Sequence, residues 1–563
     1  MDLEVIIDNK KIKADASETI LQVARRNNIE IPTLCYLKNI NEPASCRVCV
    51  VEVEGMKNLC TACSTKVRNG MVVKTNTNKV IKARKNAIEL LLSNHNQNCL
   101  SCPKNLKCEF QKLCNQFQCT NKFEGEKSEF KIDDSNNAIV RDESKCILCG
   151  KCVSVCAKNQ GCYAIGKVNR GFETKVSTAF EKPMQKSSCV GCGQCVLVCP
   201  TGALTQKNNL KDVFNILDEP NVIKIAQVAP AVRVSIAEAF GNDIGTFAEK
   251  KIVSALKQIG FDYVFDVNNG ADFTVIEEAN ELIQKLKTGK GLPLFTSCCP
   301  AWFNFCEKNY PEFVENLSTS KSPNEMLGSL VKYYFEKQGK RAKIVSIMPC
   351  TAKKREILAH GVIDQSITTR ELAEMIKLKS IDFNLLEEAK FDSPFGEYSG
   401  GGLIFGVTGG VTEAALRYAV YKLTGEKQDI FEDVRYSDGV KEVTVELEGR
   451  QVKLAIVHGL ANAKCVMESI KNGTKKYDFV EVMACPGGCV NGGGQIYVDY
   501  NKIDVSEVIK KRSESIYIAD GMCKFKGSGE NESVKKIYEE LLENDNELIH
   551  KLLHYVHTDK NFY

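Results

Sequence analysis

Three short stretches carry cysteines whose spacing and neighbours suit a metal centre better than a packed core. In Glu481-Val-Met-Ala-Cys485-Pro-Gly-Gly-Cys489-Val-Asn-Gly-Gly-Gly-Gln495 two thiols are separated by three residues and wrapped in glycine. Glycine lets backbone approach a bulky group with no Cβ in the way. Phe295-Thr-Ser-Cys298-Cys299-Pro-Ala-Trp302 offers an adjacent pair, and Ile347-Met348-Pro-Cys350-Thr-Ala-Lys353-Lys-Arg-Glu356 sets one thiol just ahead of a lysine. Alone, the CPGGC segment could be half of a zinc site or a turn.

The N-terminal part is denser still in possible ligands. Cys35-x10-Cys46-x2-Cys49-x13-Cys63 is similar to plant-type [2Fe–2S] ferredoxins, though with a longer first gap. Cys60 stands three residues before Cys63, so spacing alone leaves the fourth ligand open. His95-x3-Cys99-x2-Cys102-x5-Cys108 reads, without context, as a structural zinc site. Cys114 and Cys119 follow and read as buried thiols. An internal repeat comes next: Cys146-x2-Cys149-x2-Cys152-x3-Cys156, then Cys189-x2-Cys192-x2-Cys195-x3-Cys199-Pro200. It has the pattern of bacterial two-[4Fe–4S] ferredoxins, in which the last cysteine of each run crosses to the other cluster. One cluster then takes Cys146, Cys149, Cys152 and Cys199, the other Cys189, Cys192, Cys195 and Cys156.

These ligands need elements to hold them. Strands are expected over 3–7 and 11–14, with helices over 19–28 and 80–93. From about residue 211 cysteines thin out. Apolar runs at 222–228, 343–347, 452–457 and 479–483 alternate with helical patterns at 247–259, 277–286 and 369–378, which argues for an α/β domain with largely parallel strands. The loops carrying Cys299, Cys350 and Cys485 each follow an extended or apolar stretch, at the strand ends where such sheets bind ligands.

Composition narrows the class. The chain has 563 residues, 27 cysteines and a formal charge of +4. It is long enough for several cores. The charge gives no case for nucleic acid, and no run of about 18 apolar residues suggests a membrane span. Met1-Asp-Leu-Glu-Val-Ile-Ile-Asp reads as a strand rather than a leader. A cytoplasmic protein is expected, where dense cysteines mean metal rather than disulfides. From Lys57 to Lys85 there are eight Lys or Arg and no Asp or Glu, a solvated face or a docking patch. His550, His554 and His557 share a helical stripe that reads as a docking helix rather than a metal site.

The three loops, in this order and with these separations, resemble the signature loops of [FeFe]-hydrogenases, and the resemblance runs through essentially the whole chain to the monomeric clostridial type with four accessory clusters. It implies a multidomain α+β and α/β protein: ferredoxin-like accessory domains, then a two-lobed catalytic domain with twisted, largely parallel sheets around the H-cluster. Its domains would be 1–78 ([2Fe–2S]), 79–125 (His-ligated [4Fe–4S]), 126–209 (two [4Fe–4S]) and 210–563 (catalytic). The first cluster takes Cys63 as its fourth ligand, and the His95 set holds iron rather than zinc. The H-cluster, a [4Fe–4S] cubane joined to a diiron unit with CO, cyanide and a bridging dithiolate amine, takes Cys299, Cys350, Cys485 and Cys489, the last also bridging to the diiron unit. The cofactors are therefore this cluster, one [2Fe–2S] and three accessory [4Fe–4S].

Adjacent residues rarely ligate one small cluster, and by resemblance Cys298 is the member left over. It is an inert thiol or, on the family pattern, the proton donor. A thiol of pKa ~8.5 is a reasonable acid near neutral pH. Lys353 is the expected donor to a cyanide ligand, and Met348, Met483 and Phe405 form an apolar wall or generic core. Glu278, Glu281 and Lys285 recur at i, i+3 and i+7 on one helical face. Such a face is ordinarily solvated charge, but the family runs its relay from the loop cysteine through two carboxylates with a serine between them, here Ser318. Lys285 replaces the arginine usual at the outer end, and Ala301 the usual glycine. The resemblance implies reversible conversion of protons to H2 by a monomer, with electrons from ferredoxin or flavodoxin and with maturation proteins that build the H-cluster. The competing readings are the catalytic subunit of a multi-subunit, NAD-coupled or bifurcating hydrogenase, and a non-catalytic relative in H2 sensing or iron–sulfur assembly.

Overall fold

The computed structural model describes residues 2–125, 130–296, 298–427, 431–436 and 438–555. His557 lies outside them. The chain opens with an antiparallel hairpin, Asp2–Ile7 and Lys10–Asp15, turned by Asp8 and Asn9, both with positive φ, the geometry of a type I′ turn. Val72–Lys74 joins it in parallel and completes a five-stranded sheet with Val50–Val53 and Cys60–Thr61. Alternate side chains turn inward, so Val5, Ile7, Ile12 and Ala14 meet Ile20, Leu21 and Ala24 of the helix Ile20–Arg26. That helix is shorter than the pattern suggests because Thr19 is its N-cap, in a reciprocal box with Gln22.

The helix Asn78–Leu92 leads to the His95 loop. In the repeat, Lys151–Lys158 and Gln194–Leu197 are short helices, each entered through a left-handed glycine, Gly150 (φ 80°) and Gly193 (φ 70°). The two runs therefore share a backbone as well as a spacing.

The catalytic part holds two four-stranded sheets. The first, in the order Tyr263–Asp266, Ile223–Val228, Ala342–Met348, Gln365–Thr368, is parallel throughout. The second runs Leu294–Phe295, Phe479–Met483, Arg450–His458, Val440–Leu447, with an antiparallel last pair turned at Glu448-Gly449. The outermost strand, Val440–Leu447, alternates exposed and half-buried residues, as an edge with one wet face does. Phe479–Met483 is buried throughout and serves two cores: Phe479 packs with Leu454 and Ile456 on one face, Val480 and Val482 with Ala455 and Val457 on the other.

The helix carrying Glu278 begins ten residues before its periodic pattern, spanning Val267–Thr288. Asp266 caps it through Asn268 N–H at 2.9 Å, and every residue from Val267 to Val275 is buried. A helix buried all round has no stripe to read. It packs against Pro323–Lys337 and Gly410–Thr424. Among the described residues no helix is long and apolar enough to cross a membrane.

Candidate active site and its cluster-binding loops

All three cysteine loops leave the C-terminal ends of parallel strands. Cys298 and Cys299 follow Leu294–Phe295, and Cys485 follows Phe479–Met483 in the same sheet; Cys350 follows Ala342–Met348 in the other. The site therefore lies between the lobes. Cys299 caps the helix Pro300–Asn309, and the backbone N–H groups of Ala301 and Trp302 favour its anion. Gly487 and Gly488 both hold positive φ, and a Cβ on Gly488 would meet Thr408 N at 2.7 Å. The CPGGC turn thus admits only glycine there.

Cys299, Cys350, Cys485 and Cys489 are enclosed by protein and lie within electrostatic reach of one another. Burial and mutual repulsion push their thiols up, Cys350 to about 12, while Lys353 opposes the shift at Cys299, Cys350 and Cys489. Gathering four such anions needs a strong cationic partner. Among the described residues no three His, Cys, Asp or Glu groups converge as a single ion requires. Thiols close together yet too spread for one ion fit a multi-iron cluster.

Cys298 lies enclosed beside this set. Its thiol is held well above the ordinary range, first by burial, then by Cys299, Glu278, Cys489 and Glu481. It therefore keeps its proton near neutral pH more firmly than an exposed thiol. Glu278 is 1% exposed and Ser318 fully buried. Ser318 Oγ donates to Glu281 Oε2 at 3.0 Å, and Lys285 Nζ sits 3.0 Å from Glu281 Oε1. The stripe on the helix is an interior line. Lys285 is half-buried, not a free surface end.

Lys353 is buried, donates to Ser322 Oγ at 2.8 Å and pairs with Glu356 at 2.7 Å. Met483 and Phe405 share an apolar cluster against which Cys298 and Cys489 pack, whereas Met348 belongs to the core of the other lobe.

The accessory thiols form four further groups. Cys49 Sγ lies 3.3 Å from Cys63 Sγ, and Cys35 pairs with Cys46. These are two pairs, an arrangement that suits a binuclear cluster. Cys60 sits half-buried on its own strand. His95 Nδ1 is buried with no hydrogen-bond partner, and burial, helped by Lys145, lowers the ring to about 4; a neutral imidazole with a lone pair to offer suits a ligand. Cys102 abuts Gly202, and Cys108 lies 3.4 Å from the Pro200 carbonyl. One cavity is lined by Cys146, Cys149, Cys152 and Cys199, another by Cys156, Cys189, Cys192 and Cys195 together with Cys162. The last cysteine of each run has crossed over.

The basic run is less uniform than its sequence. Lys74 pairs with Glu54 at 3.1 Å, Lys79 approaches Glu52 at 3.8 Å, and Arg84 is buried against the Val50 carbonyl. Lys57, Lys66, Arg68 and Lys82 are exposed.

Family models match the chain along its length: a 2Fe-2S iron-sulfur cluster binding domain (1–78), the NADH-ubiquinone oxidoreductase-G iron-sulfur binding region (84–122), a 4Fe-4S dicluster domain (145–203) and the iron only hydrogenase large subunit, C-terminal domain (222–493). The chain is 40% identical to iron hydrogenase 1 of Clostridium pasteurianum, covering 98% of this chain and 99% of that one. It belongs to the [FeFe]-hydrogenase family.

It is also 42% identical to the NADP-reducing hydrogenase subunit HndD of Solidesulfovibrio fructosivorans, over 98% of each chain. A solved variant of [FeFe]-hydrogenase HydA1 from Chlamydomonas reinhardtii superposes with a TM-score of 0.55 at 35% identity, covering 62% of this chain and 98% of that one. Residues 506–560 match the iron hydrogenase small subunit, a unit with no signal in the cysteine pattern.

Several residues of this hydrogenase's site escape sequence reasoning. Glu481, fully buried, accepts Gly409 N–H at 2.7 Å and Thr412 N–H and Oγ1–H at 2.8 Å, which braces the strand leading to CPGGC. Glu325 is buried with both carboxylate oxygens unpartnered, and burial with Glu356 nearby raises it to about 8. The junction with the ferredoxin repeat was equally silent. Thr351 Oγ1 donates to the Gly191 carbonyl at 2.6 Å, Gln194 Nε2 to the Asn491 carbonyl at 2.8 Å. A Cβ on Gly493 would stand 2.2 Å from Cys192 O.

Proposed function

We propose that this oxidoreductase acts reversibly between protons and H2 at an H-cluster held by Cys299, Cys350, Cys485 and Cys489. Reduced ferredoxin or flavodoxin would supply electrons through one [2Fe–2S] and three [4Fe–4S] clusters. The observation that carries the reading is the gathering of Cys299, Cys350, Cys485 and Cys489 with a fifth thiol, Cys298, enclosed beside them and within electrostatic reach of Glu278.

When bound, the H-cluster supplies the redox chemistry; the chain positions it and handles protons. Lys353 has three donors. Glu356 and Ser322 hold the ammonium, and its remaining donor is the one offered to a cyanide ligand. Cys298 keeps a proton at the site and passes it along the line Glu278, Ser318, Glu281. Asn41 Nδ2 donates to the carbonyls of Cys35 and Cys149 at 2.5 and 3.1 Å, and Cys108 lies beside Pro200. Both outer ligand groups thus touch the residues that would hold the first ferredoxin cluster, and the residues that would hold the second adjoin the CPGGC segment. The protein would work as a cytoplasmic monomer.

Infrared spectra of the matured protein test the reading: CO and cyanide bands together with ferredoxin-driven H2 evolution are expected, and neither would appear in a chain that carries only cubanes. The relative named as an NADP-reducing subunit favours a second reading, in which partner subunits bring flavin and nicotinamide. Co-purification of a flavoprotein and pyridine-nucleotide-dependent turnover would decide for it.

A further inference from the structure

Glu281 does more than join Ser318 to Lys285. Its Oε2 also accepts Thr319 N–H at 3.1 Å and the Thr319 hydroxyl at 3.3 Å. That hydroxyl lies 2.9 Å from His554 Nδ1. His554 Nε2 is 3.1 Å from Glu277 Oε2, and the other oxygen of Glu277 accepts the Tyr538 hydroxyl at 2.5 Å. The placement is fixed by backbone. Ser320 and His554 form an isolated bridge, Lys321 N–H donates to the Leu553 carbonyl and Tyr555 N–H to the Thr319 carbonyl, both at 2.8 Å. The end of the helix Asn546–Leu553 is stitched to the segment that carries the relay serine.

We propose that the proton relay forks at Glu281, and that His554 heads a second route to water through the Thr319 hydroxyl. The proposal rests on the reading of Cys298, Glu278, Ser318 and Glu281 as the relay. A hydroxyl between a ring nitrogen and a carboxylate can take one proton as it releases another. From the imidazolium, the Nδ1 proton passes to the Thr319 oxygen while the hydroxyl proton passes to Glu281 Oε2. To reset, the neutral ring swings Nδ1 off Thr319 to take a proton from water, and the Thr319 hydroxyl turns back toward Glu281. One proton enters, one is delivered, and Thr319 is unchanged.

The surroundings suit that role. The side chains of His554 and Glu277 are 12% and 14% exposed, far enough out to meet solvent and far enough in to be held. Glu277 orients the ring from Nε2, and Tyr538 fixes Glu277. The exposed His550 stacks on His554 at 5.0 Å with ring planes 8° apart. Ser318 and Thr319 are neighbours in sequence, yet Ser318 lies on the shared stem and Thr319 on one arm. His554 is a positioning and relay residue for the hydrogenase reaction, with no part in holding the cluster.

The test compares Lys285→Met, His554→Gln and the double variant in the full, cluster-loaded chain. Parallel arms share flux, so each single variant should keep about a third or more of turnover, while the double should fall at least ~10-fold below the product of the two, the non-additivity expected of coupled sites. Millimolar imidazole should restore much of the double variant's rate, which it would not do for a lost structural brace. Independently of activity, Thr319→Val and Glu277→Gln each release one ring nitrogen. Each should speed carbethoxylation of His554 several-fold relative to His550, read by mass spectrometry. A double variant equal to the product of the singles, absence of imidazole rescue, or unchanged carbethoxylation would overturn the fork. Wild-type turnover in Glu281→Gln would instead overturn the relay reading on which it rests.

Discussion

Lys353 Nζ lies 2.7 Å from Glu356 Oε1, three residues along the same helix. Both side chains are buried, so the cation reaches the cysteine loops with its counter-ion already in place. Removing one partner of such a pair leaves an unbalanced interior charge, which costs about 3–5 kcal/mol. Glu356→Gln should therefore lower the unfolding temperature more than Lys353→Met,Glu356→Gln does. Lys353→Met alone should also weaken loading of the diiron unit, seen as reduced CO and cyanide bands. Full bands in Lys353→Met would remove the lysine from the cluster's hold.

Cys298→Ala tests the enclosed thiol that lies within electrostatic reach of Glu278. The infrared bands and iron content should be retained while turnover falls by ~10²–10⁴-fold, the usual contribution of a positioned acid. Loss of the cubane would make Cys298 a ligand, and retained activity would make it a bystander.

Glu278→Gln and Glu281→Gln should keep cluster loading and reduction by dithionite yet slow both H2 evolution and uptake. Lys285→Met should be the mildest of the set, although its 3.0 Å pairing with Glu281 makes it part of the line. Wild-type rates in both glutamine variants would reduce the stripe to structural polar packing.

Electron entry should be salt-sensitive. The exposed Lys66, Arg68 and Lys82 lie in the basic run bordering the first two ligand groups, and steering fades as the Debye length drops from ~10 Å at 0.1 M salt to ~3 Å at 1 M. Reversing these three to Glu should raise the KM for ferredoxin and leave dye-driven turnover nearly unchanged. Lys74 and Lys79 should matter less, because Glu54 and Glu52 stand beside them. Equal effects on both donors would place entry elsewhere.

The cysteine grouping could be read from the chain because ligand spacing is a local property: the repeat at 146–156 and 189–199 dictates its own crossover. The strands at 223–228 and 479–483 were legible too, being short apolar runs between turns. The contacts that tune the site were not. Thr319 meets His554 across 235 positions, and Gln194 reaches Asn491 across 297. Single polar residues carry no periodicity, so nothing in their local sequence announces such partners. The first nine residues of the helix Val267–Thr288 were hidden for the opposite reason: enclosed on every side, they show no contrast between faces.

The contacts at Thr351, Gln194 and Gly493 have a kinetic meaning. Side chain meets backbone at Thr351 and Gln194, backbone meets backbone at Gly493, and Asn41 ties the Cys35 segment to the same repeat, so the ligand groups are braced against one another. Current inside the molecule should then be set by fixed distances rather than by domain diffusion. Raising solvent viscosity should slow the encounter with the external carrier and leave the internal transfers at their ordinary speed.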